Sequence, residues 1–203
     1  MRTATRVMVA SAMTAALAGC VSFGQQETQR YYVLDASSGA KTRKVVTPRA
    51  ATLLVAPTTT SGFYETPEIV YSRAPGERAY YQLSTWTERP SRRITALLAM
   101  RLERDGLFKT VAADSSGVQG ELVLNTHLAE FYHDAATPPG SVKVTITAEL
   151  MDPARRVLLA RHTFNRSEAA ASYDAPGAVQ AFNRAVGAIL DDISAWVDAT
   201  APH

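Results

Sequence analysis

The residues able to do chemistry are few, and their spacing argues against a catalytic centre. The four histidines are His127, His133, His162 and His203, and the single cysteine is Cys20. His127 and His133 fall on one predicted strand six residues apart, roughly 20 Å at ~3.3 Å per residue, too far to share a metal ion. One cysteine forms no intramolecular disulfide and no thiolate metal cluster. Neither His-x-Glu nor His-Glu-x-x-His occurs. Ser61 and Ser141 lie beside Gly62 and Gly140 without the Gly-x-Ser-x-Gly elbow that would expose a nucleophile. No glycine-rich phosphate loop of either common type is present, so an ATPase is unsupported. Asp191 and Asp192 are expected as ordinary carboxylates on the solvated side of a helix, because helical neighbours do not face each other.

One constellation does stand out. Phe63, Tyr64, Tyr71, Tyr80, Tyr81 and Trp86 are six of the 16 aromatic residues, gathered into 24 positions, with Arg73 and Arg78 among them. Aromatic residues favour strands, so they can be the core of a hairpin. Tyr, Trp and Arg also dominate interface energetics, so the same set can be a contact surface for a partner or a lipid. Both readings stand at this point.

The elements that must carry these residues follow from periodicity. Tyr31 to Leu34 and Ala51 to Ala56 are short β-type runs. Ile69 to Ser72 and Ala79 to Trp86 flank Ala74-Pro75-Gly76-Glu77, a turn signal between two strands. Ser91 is positioned to cap a helix in which Ile94, Leu97, Leu98 and Leu102 recur at helical spacing before Gly106. Gly120 to Tyr132 alternates, and Val142, Val144, Ile146, Ala148 and Leu150 mark one face of the next strand. Asp152 and Pro153 turn the chain into Val157 to Phe164, giving an antiparallel meander. Asp174 before Pro176 enters a long helix with Val179, Phe182, Val186, Ile189, Leu190, Ile193, Trp196 and Val197 on one stripe. Two amphipathic helices need an apolar surface and the strands offer one. The expected fold class is α+β, a mostly antiparallel sheet with two main helices packed on one face.

Composition fits one such domain. The chain has 203 residues, 46% hydrophobic and 20% charged, with 11 Gly and 10 Pro, which excludes collagen-like repeats and wholesale disorder. The net charge is +2, with no run of like charge, so no nucleic-acid footprint is visible.

The first twenty residues differ in character. Arg2 and Arg6 precede Val7 to Ala18, twelve apolar or small residues that as a helix span about 18 Å of a hydrocarbon core ~30 Å thick. That is a signal peptide rather than a spanning helix. Leu17-Ala18-Gly19-Cys20 closing this segment resembles the bacterial lipobox. The resemblance implies cleavage before Cys20, acylation of its sulfur and of the new amine, and several acyl chains as a stable anchor. Val21 follows the cysteine where an acidic residue is absent, which resembles retention at the outer membrane. The expected organisation is residues 1–19 as lipoprotein signal peptide, 20–30 as lipidated cysteine and tether, and 31–203 as a single domain.

Several short motifs then occur in order: Tyr32-Val33-Leu34, Val55-Ala56-Pro57, the aromatic segment, Ile69-Val70-Tyr71-Ser72-Arg73, and Trp86 ahead of Pro90 and a helix. This order resembles the ABC-type transport auxiliary lipoproteins, the group that includes the paraquat-inducible protein C lipoproteins. Trp86-Thr87-Glu88-Arg89-Pro90 is one residue longer than the Trp-Ala-Glu-Pro-like string common in that family. The resemblance implies a non-catalytic, cofactor-free lipoprotein at the outer membrane, facing the periplasm. It further implies work with a permease, an ATPase and a mammalian-cell-entry (MCE) domain protein to move phospholipid or other apolar molecules between membranes, with a homo-oligomeric ring as one form of association. A structural envelope lipoprotein that assists outer-membrane assembly or binds cell-wall polymer is the alternative, and a lipid-modifying enzyme has the least support in the residues.

Overall fold

A computed structural model of the chain describes residues 28–36 and 48–202. The segment 1–19, Cys20 and His203 lie outside the described residues. Nine strands form one sheet: β1 (Arg30–Tyr32), β2 (Arg49–Val55), β3 (Thr59–Thr60), β4 (Glu68–Ser72), β5 (Ala79–Trp86), β6 (Phe108–Ala113), β7 (Leu122–Asp134), β8 (Ser141–Asp152) and β9 (Val157–Ala169). Among the described residues, two α-helices, α1 (Pro90–Asp105) and α2 (Ala175–Thr200), complete an α+β fold.

The sheet is mixed, which corrects the expectation of a mostly antiparallel one. The meander β7–β8–β9 is antiparallel along its whole length, and β4 with β5 is an antiparallel hairpin. The pairings of β1 with β5, β2 with β6, and β2, β3 and β4 with β7 are all parallel. Parallel neighbours need a connection of a dozen or more residues, and β3, β4, β5 and α1 all lie between the paired strands β2 and β6. Turn signals mark hairpins but carry no information about crossovers. The strand β6 was not anticipated at all; Phe108 is buried while Lys109 and Thr110 are exposed, so it lacks the alternation that would announce it.

Strand β7 changes face part-way. Leu122, Leu124, Thr126 and Leu128 are buried, and after a register shift between Leu128 and Glu130 the buried positions become Phe131 and His133. A bulge of one residue moves every later side chain to the other face. The swap brings Phe131 into the core against Phe182 of α2 (ring centroids 4.3 Å), with Trp86 of β5 on Phe182 at 5.6 Å.

Both helices bury the stripes their sequences predict, and α2 also buries several alanines that let it approach β8 and β9. Asp174 caps α2, its Oδ1 accepting from the Gly177 N–H at 2.9 Å. At the other helix the cap differs from expectation. The helix begins at Pro90 after Arg89, and Ser91 lies inside it, donating its hydroxyl to Glu65 at 3.1 Å. Gly106 ends α1 with φ 66°, the left-handed conformation that glycine adopts without steric cost.

Asp191 and Asp192 are not free surface carboxylates. Arg101, 5% exposed, pairs with Asp191 across the helix interface and donates to the Ala36 carbonyl at 3.1 Å. The buried Asp105 accepts from Ser194 at 2.7 Å, and Asp192 pairs with Arg166 of β9. Removing one member of a buried ion pair strands the other. Asp191 keeps some solvent, so Arg101→Ala is expected to cost about 2 to 3 kcal/mol, near the lower end of the usual range. Urea unfolding measures it, and a loss no larger than that of Arg92→Ala, an exposed arginine of the same helix, would show that the pair stabilises nothing.

Candidate functional site

The aromatic segment divides into a buried and a solvent-facing half. Trp86 is 2% exposed, wedged between Phe131 and Phe182, so its ring is part of the core. Tyr64 is buried too, with its hydroxyl accepting from the Arg78 Nε–H at 3.3 Å. Within β5, Ser84 and Trp86 are buried, while the remaining rings are half-buried (Tyr71, Tyr80 and Tyr81) or exposed (Phe63).

Those remaining rings are ordered by stacking. Phe63 lies on Tyr80 at 4.9 Å with 12° between planes, and the Tyr80 hydroxyl donates to the Phe63 carbonyl at 3.3 Å. Tyr71 packs on Tyr81 at 4.8 Å, with the Arg73 guanidinium 5.1 Å from the Tyr71 ring. Arg78 lies over Tyr132 at 3.7 Å. Such contacts add to area burial and hold half-exposed side chains in one rotamer. Tyr71, Arg73 and Arg78 also line a polar cavity of about 530 Å³ with Glu77.

Three participants escaped the sequence reading: Tyr132 and His133 of β7, and Tyr173 in the loop before α2. The Tyr81 hydroxyl meets His133 Nδ1 at 2.7 Å, and His133 Nε2 meets the Pro139 carbonyl at 2.9 Å. A carbonyl only accepts, so Nε2 carries the proton and Nδ1 accepts from Tyr81. The Tyr173 hydroxyl donates to the Ala135 carbonyl at 2.7 Å. Gly140 closes this corner with φ 82°, and a Cβ there would stand 2.3 Å from the Asp134 carbonyl oxygen and 2.5 Å from His133 Nε2. Burial holds His133 below the ordinary histidine range. Burial also pushes Tyr81 up to about 12, with Tyr173 and Asp174 adding to the rise, so its hydroxyl stays a donor. No local pattern identifies His133; only the β7 bulge turns it inward.

The other chemistry-bearing residues remain apart. His127 pairs with Thr59 at 3.0 Å on the sheet face away from the helices, and His162 packs on Phe164. Among the described residues, no three His, Cys, Asp or Glu side chains gather in a way that could hold a metal ion. No described helix is long and apolar enough to cross a membrane.

The family model of the ABC-type transport auxiliary lipoprotein component matches residues 32–194. The chain belongs to this family. As a member, it is an auxiliary lipoprotein of ABC-type transport. Its fold is similar to that of a crystallised Xanthomonas campestris protein assigned to the family DUF330, at TM-score 0.75 and 19% identity over 84% of this chain and 95% of that one. A second crystal structure, of an uncharacterized protein, matches at TM-score 0.66 and 14% identity, covering 84% of this chain and 99% of that one. No functionally curated protein matches the chain. At these identities the structures establish a shared fold. The family match runs from the last residue of β1 through most of α2, and so includes the whole aromatic segment.

Two outcomes separate core from surface. Trp86→Ala is expected to lose about 3 to 5 kcal/mol and Tyr80→Ala, which gives up one exposed stack, under about 1.5 kcal/mol. Chemical denaturation of both variants checks this, and equal losses would contradict the division. For pH, an unfolded histidine takes up its proton near pH 6.5, whereas buried His133 does so only lower. In that window the unfolded state binds more protons, so stability is complete above it and falls as pH drops through it. Between about pH 7.5 and about pH 5.5 the parent protein is expected to lose more stability than His133→Gln; equal losses would remove His133 as the cause.

Proposed function

We propose that this chain is the lipid-anchored, non-catalytic docking component of a system that moves phospholipid or other apolar molecules between inner and outer membranes. The family match over residues 32–194 carries this reading. The lipobox-like Leu17-Ala18-Gly19-Cys20 supports the anchor: residues 1–19 are removed as a signal peptide, Cys20 is acylated, residues 20–30 form the tether, and 31–203 form the domain. Val21 after the cysteine favours the outer membrane, with the domain in the periplasm.

The partner set follows from what the chain must connect. A permease and ATPase supply energy at the inner membrane and an MCE-domain protein carries apolar cargo across the periplasm. This lipoprotein docks that assembly at the outer membrane. The docking face is built from the rings outside the core, Phe63, Tyr71 and Tyr80, with Arg73, while Tyr81, half-buried and bonded to His133, holds it from beneath. It is rigid before binding because stacking and cation–π contacts already hold it, so little side-chain entropy is lost on association. Tyr64 and Trp86 support that face from the core. Among the described residues β1 and β9 are edge strands of the sheet, and edge strands are a route by which identical subunits join in a ring.

The test is co-purification from envelope membranes through a C-terminal tag, with mass spectrometry of proteins and lipids. Recovery of an MCE-domain protein with its permease is expected. Arg73→Ala and Tyr71→Ala are each expected to reduce that recovery severalfold while leaving the melting temperature within a few degrees of the parent, since surface changes cost little stability. Cys20→Ala, exported by another signal, is expected to abolish function in the cell. Recovery of outer-membrane assembly or cell-wall components in place of the transport proteins would overturn the proposal in favour of a structural envelope role.

A further inference from the structure

Thr28 opens the described part of the chain and lines a cavity of about 400 Å³ with Arg30, Tyr81, Leu83, Tyr173 and Asp174. Cys20 is therefore tied covalently, eight residues along the chain, to a residue that lines this cavity. Leu83 and Tyr173 are among the large apolar side chains that the fold leaves exposed. Leu83 also has φ 55°, a left-handed backbone conformation that disfavours a leucine, and no burial of its side chain compensates. Asp174 is occupied as the cap of α2, accepting from Gly177 at 2.9 Å and from the Ser172 hydroxyl at 2.5 Å. Arg30, near enough to help lower the Asp174 pKa, is the cation of the set.

A second exposed apolar patch, Val157, Leu158 and Leu159, begins β9. The thirteen residues of β9 carry the chain about 40 Å from this hairpin tip to Ala169, and Tyr173 follows four residues later. The two patches therefore lie toward opposite ends of the sheet. Covalent reach decides which of them meets the anchored membrane. Eight peptide steps separate Cys20 from Thr28, at most about 28 Å even fully extended. That reach is shorter than β9.

We infer that the end bearing Leu83 and Tyr173 rests directly on the lipid surface that holds the Cys20 anchor, and that the Val157–Leu159 tip points away from it. The inference rests on lipidation of Cys20. Its chemistry suits the headgroup layer: tyrosine and leucine side chains enter the boundary region while Arg30 reaches lipid phosphate. Contact at this face also explains a strained, exposed leucine, because burial in lipid supplies the apolar surroundings that the protein itself withholds.

The test uses the full lipoprotein reconstituted into vesicles of phosphatidylethanolamine and phosphatidylglycerol. Leu83→Cys and Leu158→Cys are labelled separately with a polarity-sensitive fluorophore, acylated Cys20 being unreactive. The label at position 83 is expected to shift to the blue and to lose most of its emission when the vesicles carry brominated acyl chains. The label at position 158 is expected to stay unquenched. The mass of the N-terminal peptide reports lipidation independently. Acylated Cys20 with an unquenched label at 83, a quenched label at 158, or shielding at 83 only when a second protein is added overturns this inference alone. An unacylated Cys20 overturns the anchoring reading and this inference with it.

Discussion

Strand β7 is the constraint on which the rest of the structure depends. One flank pairs with β8 along the whole strand, while the other meets β2 at Leu122–Leu124, β3 at His127–Leu128 and β4 at His133–Asp134. Three short strands are thus held in line by one long one. An isolated two-residue strand such as β3 has too few hydrogen bonds to persist alone. Its threonines instead tie it down, with the Thr60 hydroxyl donating to the Leu128 carbonyl at 2.8 Å and buried Thr58 bonded to Thr126 at 2.7 Å. The bulge keeps one strand facing a single core along its length: Leu122, Leu124 and Leu128 are buried in its first half, and Phe131 and His133 in its second.

The helices fix the segment that follows β1. Arg93 donates to the Leu34 carbonyl at 2.9 Å, Arg101 donates to that of Ala36, and the Asp35 N–H donates to Asn183 of α2 at 3.0 Å. Leu34 and Ala36 are themselves buried. Apolar burial and charge-assisted hydrogen bonds act together here, the latter being roughly twice as strong as neutral ones. The arrangement also sets where the chain departs toward its N-terminus, beside β5 and the start of α2. A polar clasp within an apolar helix interface is specific in register, because Arg101 must meet both Asp191 and a single carbonyl.

The two ends of the sheet differ in character. Around the β4–β5 hairpin and the loop before α2, aromatic side chains, arginines and one buried histidine form a connected network of stacking and hydrogen bonds. At the β8–β9 tip, exposed aliphatic side chains follow two arginines, Arg155 and Arg156. A rigid aromatic surface loses little side-chain entropy when it is covered.

The sequence by itself determined the elements whose signal is local. The helices are set by apolar stripes ending at Gly106 or opening at Asp174, the meander by period-two alternation, and the β4–β5 hairpin by Pro75-Gly76. It also determined family membership, since short motifs in a constant order survive where overall identity is low. Only the tertiary structure decided what depends on partners distant in the chain. The parallel pairings join strands far apart in the chain, β6 is defined by its place beside β2, and the role of Asp191 by Arg101 ninety residues away. The aromatic segment was legible as a cluster, but its division was not. Whether Trp86 faces Phe182 or water depends on which side of the sheet the helices cover, and His133 joins Tyr81 only because a bulge in β7 reverses the side on which it points. Periodicity records the spacing of side chains along one strand, whereas a site is made where separate strands and helices meet.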